Sequence, residues 1–292
     1  MRVTVTEDPQ PDIARCARRT ARRLLSGAGS ADLTAYRIDP SAPIPVAHAL
    51  RADGCLLIAA CPAPGTPLAG LDSPVEVRLD ITMDAADPGI RITVASAHLL
   101  GTLRWADETE AAALLASART PACHCAITGE HPIERVAAIA DYQGGRLGVI
   151  TADRFLLHGP SGISGHAIAD ILDIEAPQAG YAWGAVEALT AHEAVTAVGQ
   201  IGLHAICDAV REGAAPGWIC STRPAIGVCP SLRGKVLCLD VDEHGATLMQ
   251  ITGEEVTTAV IVFPDGPILA HDTGDVLERL AAEILPQRLM RP

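Results

Sequence analysis

Between residues 33 and 103 the chain is a series of short apolar runs, 33–38, 45–50, 55–60, 75–83 and 90–103, cut apart by turn residues. Asp39-Pro40, Asp53-Gly54, the stretch 62–67 and Asp87-Pro88-Gly89 make the cuts. Such residues fix φ near one value or tolerate a positive one, and so end regular structure. Runs this short read as strands rather than helices. Asp53-Gly54 between two apolar runs predicts a hairpin with a type I′ turn. Five or six strands at roughly 10–15-residue spacing predict a small antiparallel barrel.

Helical periodicity frames this region. Residues 12–25 place Ile13, Cys16, Ala17 and Leu24 on one side and Arg15, Arg18, Arg19, Arg22 and Arg23 on the other. Residues 107–118 carry Glu108 and Glu110 in a first turn, where the helix dipole favours anions, and 132–142 begin with proline, which needs no amide donor there. Residues 147–150 and 154–158 predict a further hairpin turning at Thr151-Ala152-Asp153, and 167–174 fit either a short helix or a strand. The character changes near 177–184. Residues 185–211 give the longest helical pattern, with Val195, Leu203, Ile206 and Val210 on a stripe shared with His192 and Gly199. A Gly/Pro-rich stretch, 212–234, predicts a long loop, and strands follow at 236–241, 246–251 and 256–263 before a closing helix at 272–285. The expected fold class is α+β: an N-terminal antiparallel split β-barrel with flanking helices over 1–176, then a small domain over 177–292 with a long helix, a three-stranded antiparallel sheet and a closing helix. A length of 292 residues suits two domains.

Composition removes several function classes. The net charge is −13 and Lys235 is the only lysine, so phosphate backbones are repelled; three Trp, three Tyr and two Phe cannot build a base-stacking platform. Nucleic acid is therefore not an expected partner. No uninterrupted run of roughly 18 apolar residues occurs, so no membrane span is expected. The opening MRVTVTEDPQPD has no apolar segment of the secretory type. Nine scattered cysteines then read as reduced thiols in a cytoplasmic protein.

Candidate chemistry is sparse. Cys123-His124-Cys125, followed by His131, is the tightest cluster of soft metal ligands, although C-x-C departs from the usual zinc spacing. Cys220, Cys229 and Cys238 recur at intervals of nine, which matches no metal template. The dipeptides Cys61-Pro62 and Cys229-Pro230 resemble haem-regulatory motifs, in which a thiolate ligates ferric iron. His192 lies on an apolar helical stripe and is either a half-buried structural histidine or an iron ligand. The arginines of 15–23 suit oxyanions, and equally the solvated side of a surface helix. No dinucleotide-binding, phosphate-loop, serine-elbow or zinc-protease motif is present.

Both halves together resemble the haem-utilisation (HugZ-type) proteins of the pyridoxamine-phosphate-oxidase-like FMN-binding split-barrel superfamily, in their actinobacterial two-domain form. Glu187-Ala188-Leu189-Thr190-Ala191-His192-Glu193 is similar to the family's M-N-x-H-H helix opening, with Glu193 at the second histidine. Val236 to Gly245 resembles its l-x-x-v-D-x-x-G hairpin, Ala259 to Pro264 its vRvpFprP strand without the arginine, and 276–284 its closing helix. Residues 45–50, 53–58 and 94–105 follow its barrel strand order. The resemblance implies a homodimer whose barrels meet face to face, with a small tetrapyrrole or a flavin near the interface. It points to His192 as haem-iron ligand or cofactor contact, and to Arg78 and Arg91 as cofactor-binding residues on barrel strands. It implies haem binding for iron utilisation, with oxygen-dependent haem degradation as the family's reaction. An FMN- or deazaflavin-dependent oxidoreductase is the first alternative, and a non-catalytic tetrapyrrole-linked regulatory protein the second.

Overall fold

A computed structural model describes residues 10–87, 89–118, 131–173, 183–264 and 266–289. Helix α1 (Gln10–Leu25) leads into strands β1 (Ser30–Thr34), β2 (Ile44–Leu50), β3 (Leu56–Ala60), β4 (Val75–Asp84) and β5 (Thr93–Trp105). Helices α2 (Glu108–Ala118) and α3 (Pro132–Ala140) follow, then β6 (Arg146–Thr151), β7 (Arg154–Gly159), β8 (Gly162–Ala167) and the short α4 (Ile168–Leu172). The C-terminal part contains α5 (Ala185–Ala197), α6 (Gly199–Arg211), β9 (Gly217–Pro224), β10 (Lys235–Asp242), β11 (Gly245–Ile251), β12 (Glu255–Val262) and α7 (Thr273–Leu289).

The first eight strands run in the order β4-β1-β2-β3-β6-β5-β7-β8, and pairing of β4 with β5 closes the first six into an antiparallel barrel. The expected barrel is therefore present. Strict alternation explains its core: Val75, Val77, Leu79, Ile81 and Met83 of β4 point inward, while Glu76, Arg78 and Asp80 point out. Leu33, Ile58, Leu99 and Leu103 complete the interior, each contributing about 1.5–3 kcal/mol by leaving water. The Asp53-Gly54 hairpin joins β2 and β3, but only Gly54 takes a positive φ, 85°. The turn is thus not type I′, which needs two positive φ values.

The predicted 147–158 hairpin does not form. Strand β5 lies between β6 and β7, pairing with β6 through Thr102–Trp105 and with β7 through Ser96–Leu99. Thirteen residues give β5 the length for both partners. Gly101 sits at the changeover, where a Cβ would fall 2.6 Å from the Thr151 carbonyl oxygen. The stretch 167–174, which fits either a helix or a strand, holds in its described part the last residue of β8 and then α4.

Helix α1 packs Ala21, Leu24 and Leu25 into the barrel core. Its last carbonyls have no intrahelical donors. His48 Nε2 donates to the Leu24 carbonyl at 2.6 Å, and Arg135 donates to that of Gly27 at 2.6 Å. Burial pushes the His48 imidazole below its ordinary value of 6.5.

The C-terminal sheet has four strands, order β10-β11-β12-β9, rather than three. Strand β9 comes from the stretch read as loop. Leu237, Leu239, Met249, Ile251 and Val256 join the barrel's core, and Val236, Cys238, Ala246, Leu248, Ala259 and Ile261 pack with Val195, Leu203, Ile206 and Leu277 of the helices. Burial on both faces explains why these strands read as continuous apolar runs. The predicted helix over 185–211 is two helices, because Gly199 takes φ 80°. Gln250, 2% exposed, bridges α6 to the sheet: it donates to His204 Nδ1 at 3.0 Å and Asp208 at 2.9 Å, and accepts from Arg211 at 2.7 Å. Among the described residues no helix is long and apolar enough to cross a membrane.

Candidate functional site on the outer face of the barrel

The outward sides of β4, β5, β7 and β8 form one continuous surface, set by strand register. Asp80 lies opposite His98, His98 opposite Leu156, Arg78 opposite Leu100, and His158 opposite Ile163. Positions facing solvent on such strands are normally polar. Here Leu100 is 61% exposed, Leu156 41% and Ile163 66%. Three aliphatic side chains thus stand in solvent on one sheet face, at positions where polar residues are the rule.

A polar group sits among them. Asp80 accepts from His98 Nδ1 at 2.6 Å through one carboxylate oxygen and from Arg78 Nε at 2.7 Å through the other. An imidazole donating through Nδ1 carries its lone pair on Nε2 when neutral. Metal-ligating histidines usually donate their other nitrogen to a carboxylate or carbonyl in this way, which fixes the ring. His98 Nε2 has no hydrogen-bond partner among the described residues. The His158 ring meets His98 edge-on, centroids 5.1 Å apart.

A cleft of about 300 Å³, bordered by Ile163, lies where α1, the β7–β8 hairpin and strands β10–β12 meet. Ile13, Ala17, Val94, Leu157, Val260 and Val262 supply apolar lining; Arg19, His166, Asp242 and His244 are polar. Arg23 closes a two-pronged pair with Asp240 at 2.8 and 2.9 Å, tying α1 to β10. Burial, with the Asp242 charge, raises the Cys16 thiol to about 12, so it stays protonated. Desolvation, with Arg19 nearby, lowers His244, and desolvation with Arg18 lowers His166.

Of the residues singled out from the sequence, Arg78 lies on the barrel's outer face. Arg91 falls in the segment before β5, 84% exposed and paired with Asp84 at 2.9 Å. His192 lies in α5, which packs on β10, α6 and α7; its Nε2 is buried with no hydrogen-bond partner among the described residues. Cys123, His124 and Cys125 lie outside the described residues. His131 caps α3, its Nδ1 accepting from the Ile133 amide at 3.4 Å. Cys238 is a buried strand residue, while Cys61 and Cys229 are exposed. Among the described residues no group of three His, Cys, Asp or Glu is placed to hold a metal ion by itself. Sequence reading missed His98, Asp80 and His158. The available signal was Leu100, an apolar residue at an outward position of an alternating strand.

No family model and no curated protein matches the chain. Among solved structures, it is similar to a haem-binding protein from Mycobacterium smegmatis, at 18% identity and TM-score 0.47 over 91% of this chain and 98% of that one. It is also similar to a protein of unknown function from Agrobacterium tumefaciens, at 16% identity and TM-score 0.34 over 97% and 100%. The fold itself defines the class: a closed six-stranded antiparallel barrel, extended by a hairpin and backed by a four-stranded sheet with helices.

Proposed function

We propose that the outer face of the barrel binds haem, with His98 as the iron ligand. The observation that carries this reading is the Asp80–His98 pair, an imidazole fixed through one nitrogen and open at the other, set among exposed Leu100, Leu156 and Ile163. A tetrapyrrole asks for such a surface: an axial nitrogen, aliphatic contacts for the macrocycle, and a cation for a propionate. Arg78 supplies the cation, since beyond Asp80 its guanidinium makes no hydrogen bond among the described residues. Bound haem would supply an iron centre for oxygen chemistry, the degradative reaction of the family the sequence resembles. This chain's own contribution is to orient His98 through Asp80 and to shield one side of the macrocycle with leucine and isoleucine. A flat, open face covers only one side of a ligand, so the reading includes a second copy of the chain closing over it, as the exposed aliphatic residues favour. Flavin is the weaker fit, because its phosphate needs a cluster of donors rather than the one guanidinium of Arg78.

The test is an absorption titration of the purified protein with hemin. A shifted, sharp Soret band saturating near one haem per chain is expected, lost in His98→Ala and retained in His192→Ala. A spectrum that stays that of free hemin would overturn the proposal, and flavin bands before hemin addition would favour the oxidoreductase alternative.

A further inference from the structure

The cleft beneath the β7–β8 hairpin adjoins the outer face at Ile163, and its chemistry differs. Its polar feature is Arg19. This side chain is 19% exposed, and its Nε is buried without a hydrogen bond. Asp242 approaches that nitrogen only to 3.7 Å, beyond hydrogen-bond range. One Asp242 oxygen already accepts the His244 and Gly245 amides at 2.9 and 3.1 Å. The neighbouring charges are closed off differently: Arg23 and Asp240 neutralise one another through two short hydrogen bonds. Arg19 is thus a largely buried guanidinium that makes no hydrogen bond among the described residues, and it lines a cavity with an aliphatic side, Val94, Leu157, Val260 and Val262, and a polar side that includes Asp240 and Asp242.

We propose that this cleft is a second ligand site, which takes a small amphipathic carboxylate anchored on Arg19 with its apolar body against Val94, Leu157, Val260 and Val262. The guanidinium fork matches a planar carboxylate in two parallel hydrogen bonds. Asp242, 3.7 Å from Arg19, already balances part of its charge without a hydrogen bond, so the site suits a monoanion that supplies the missing hydrogen bonds, whereas a phosphate dianion would add a further charge beside a carboxylate. His166 is held by Ser164 at 2.8 Å and His244 lies beside Glu243, 3.7 Å away, so burial keeps two neutral imidazoles at the rim rather than further cations. The size is also selective. At the small end of the roughly 300–1,000 Å³ range of ligand sites, the cleft suits a molecule much smaller than a tetrapyrrole. Trp218 Nε1 donates to Ser161 Oγ at 3.3 Å, tying the hairpin tip to β9 and keeping the cleft formed.

Isothermal titration of the full chain with naphthoate and with its neutral isostere naphthamide tests this. Naphthoate should bind one per chain, and naphthamide about tenfold or more weakly, the worth of a hydrogen-bonded charge. Arg19→Met, which keeps the aliphatic stem, should lose the same factor for naphthoate and nothing for naphthamide, and Val260→Phe should abolish both by filling the floor. Equal affinity of acid and amide for the unmodified protein would overturn the proposal, as would absence of saturable naphthoate binding at millimolar concentration. The acid–amide comparison decides the question even where Arg19→Met fails to fold. Either outcome leaves the hemin titration, and the reading of the outer face, untouched.

Discussion

The β4–β5 side of the barrel and the C-terminal sheet are both antiparallel, yet the first is covered on a single side and the second on two. Strand β4 alternates buried and exposed residues along its length, whereas β11 is buried from Ala246 to Ile251. The difference follows from neighbours: β4 and β5 meet water on their outer side, whereas α3 covers β2, β3 and β6, and the sheet is pressed between the barrel's core and helices α5–α7. An apolar residue therefore means different things in the two places. Leu248 in the sheet is packing; Leu100 on the barrel is surface available for binding.

That contrast can be broken by mutation. Leu248→Ala should cost about 3 kcal/mol in urea denaturation, while Leu100→Ala should stay within about 0.5 kcal/mol; equal losses would mean the barrel face is packed too. Next in size is Arg23→Met, which strands Asp240 between α1 and β10. With the two side chains 30% and 17% exposed, about 2 kcal/mol is expected, below the full buried-pair value. On the outer face, Asp80→Asn should weaken hemin binding about tenfold by freeing the His98 ring, with little change in stability. Acid should act through the buried side of the barrel. Because burial depresses the His48 pKa, the unfolded chain takes up a proton below 6.5 that the folded chain refuses. Stability from this group is complete above 6.5 and declines as pH falls below it; urea midpoints measured on either side of that value, in the protein and in His48→Gln, check the sign. The smallest effect belongs to Arg91→Ala: its side chain is 84% exposed, so its pair with Asp84 should contribute less than about 0.5 kcal/mol and its loss should leave hemin binding unchanged.

Much of the fold was legible because turn chemistry is local. Asp53-Gly54 marks the β2–β3 hairpin, and alternation marks β4. What failed was pairing at a distance. Thr151-Ala152-Asp153 looks like the turn of a hairpin, and nothing within 147–158 reveals that β5 inserts between its two arms. Strand β9 was hidden by the glycines and prolines that flank it. Gly199 stayed in phase with the helical stripe while breaking the helix through its φ. The site was less legible still. Arg78 could be picked out as a charge on a strand, but Asp80 and His98 are eighteen residues apart and meet only through the β4–β5 register. His192 attracted notice because a histidine on an apolar stripe is conspicuous, whereas His98, at an outward strand position, looks ordinary.

The core that includes Leu79, Leu99 and Ile58 also includes Leu239, Met249 and Ile251, so barrel and sheet share one apolar interior. Neither half can lose its packing without exposing the other's. Heated in a calorimeter, the chain should therefore absorb its heat in a single peak whose van't Hoff and calorimetric enthalpies agree, rather than in two steps divided near residue 177.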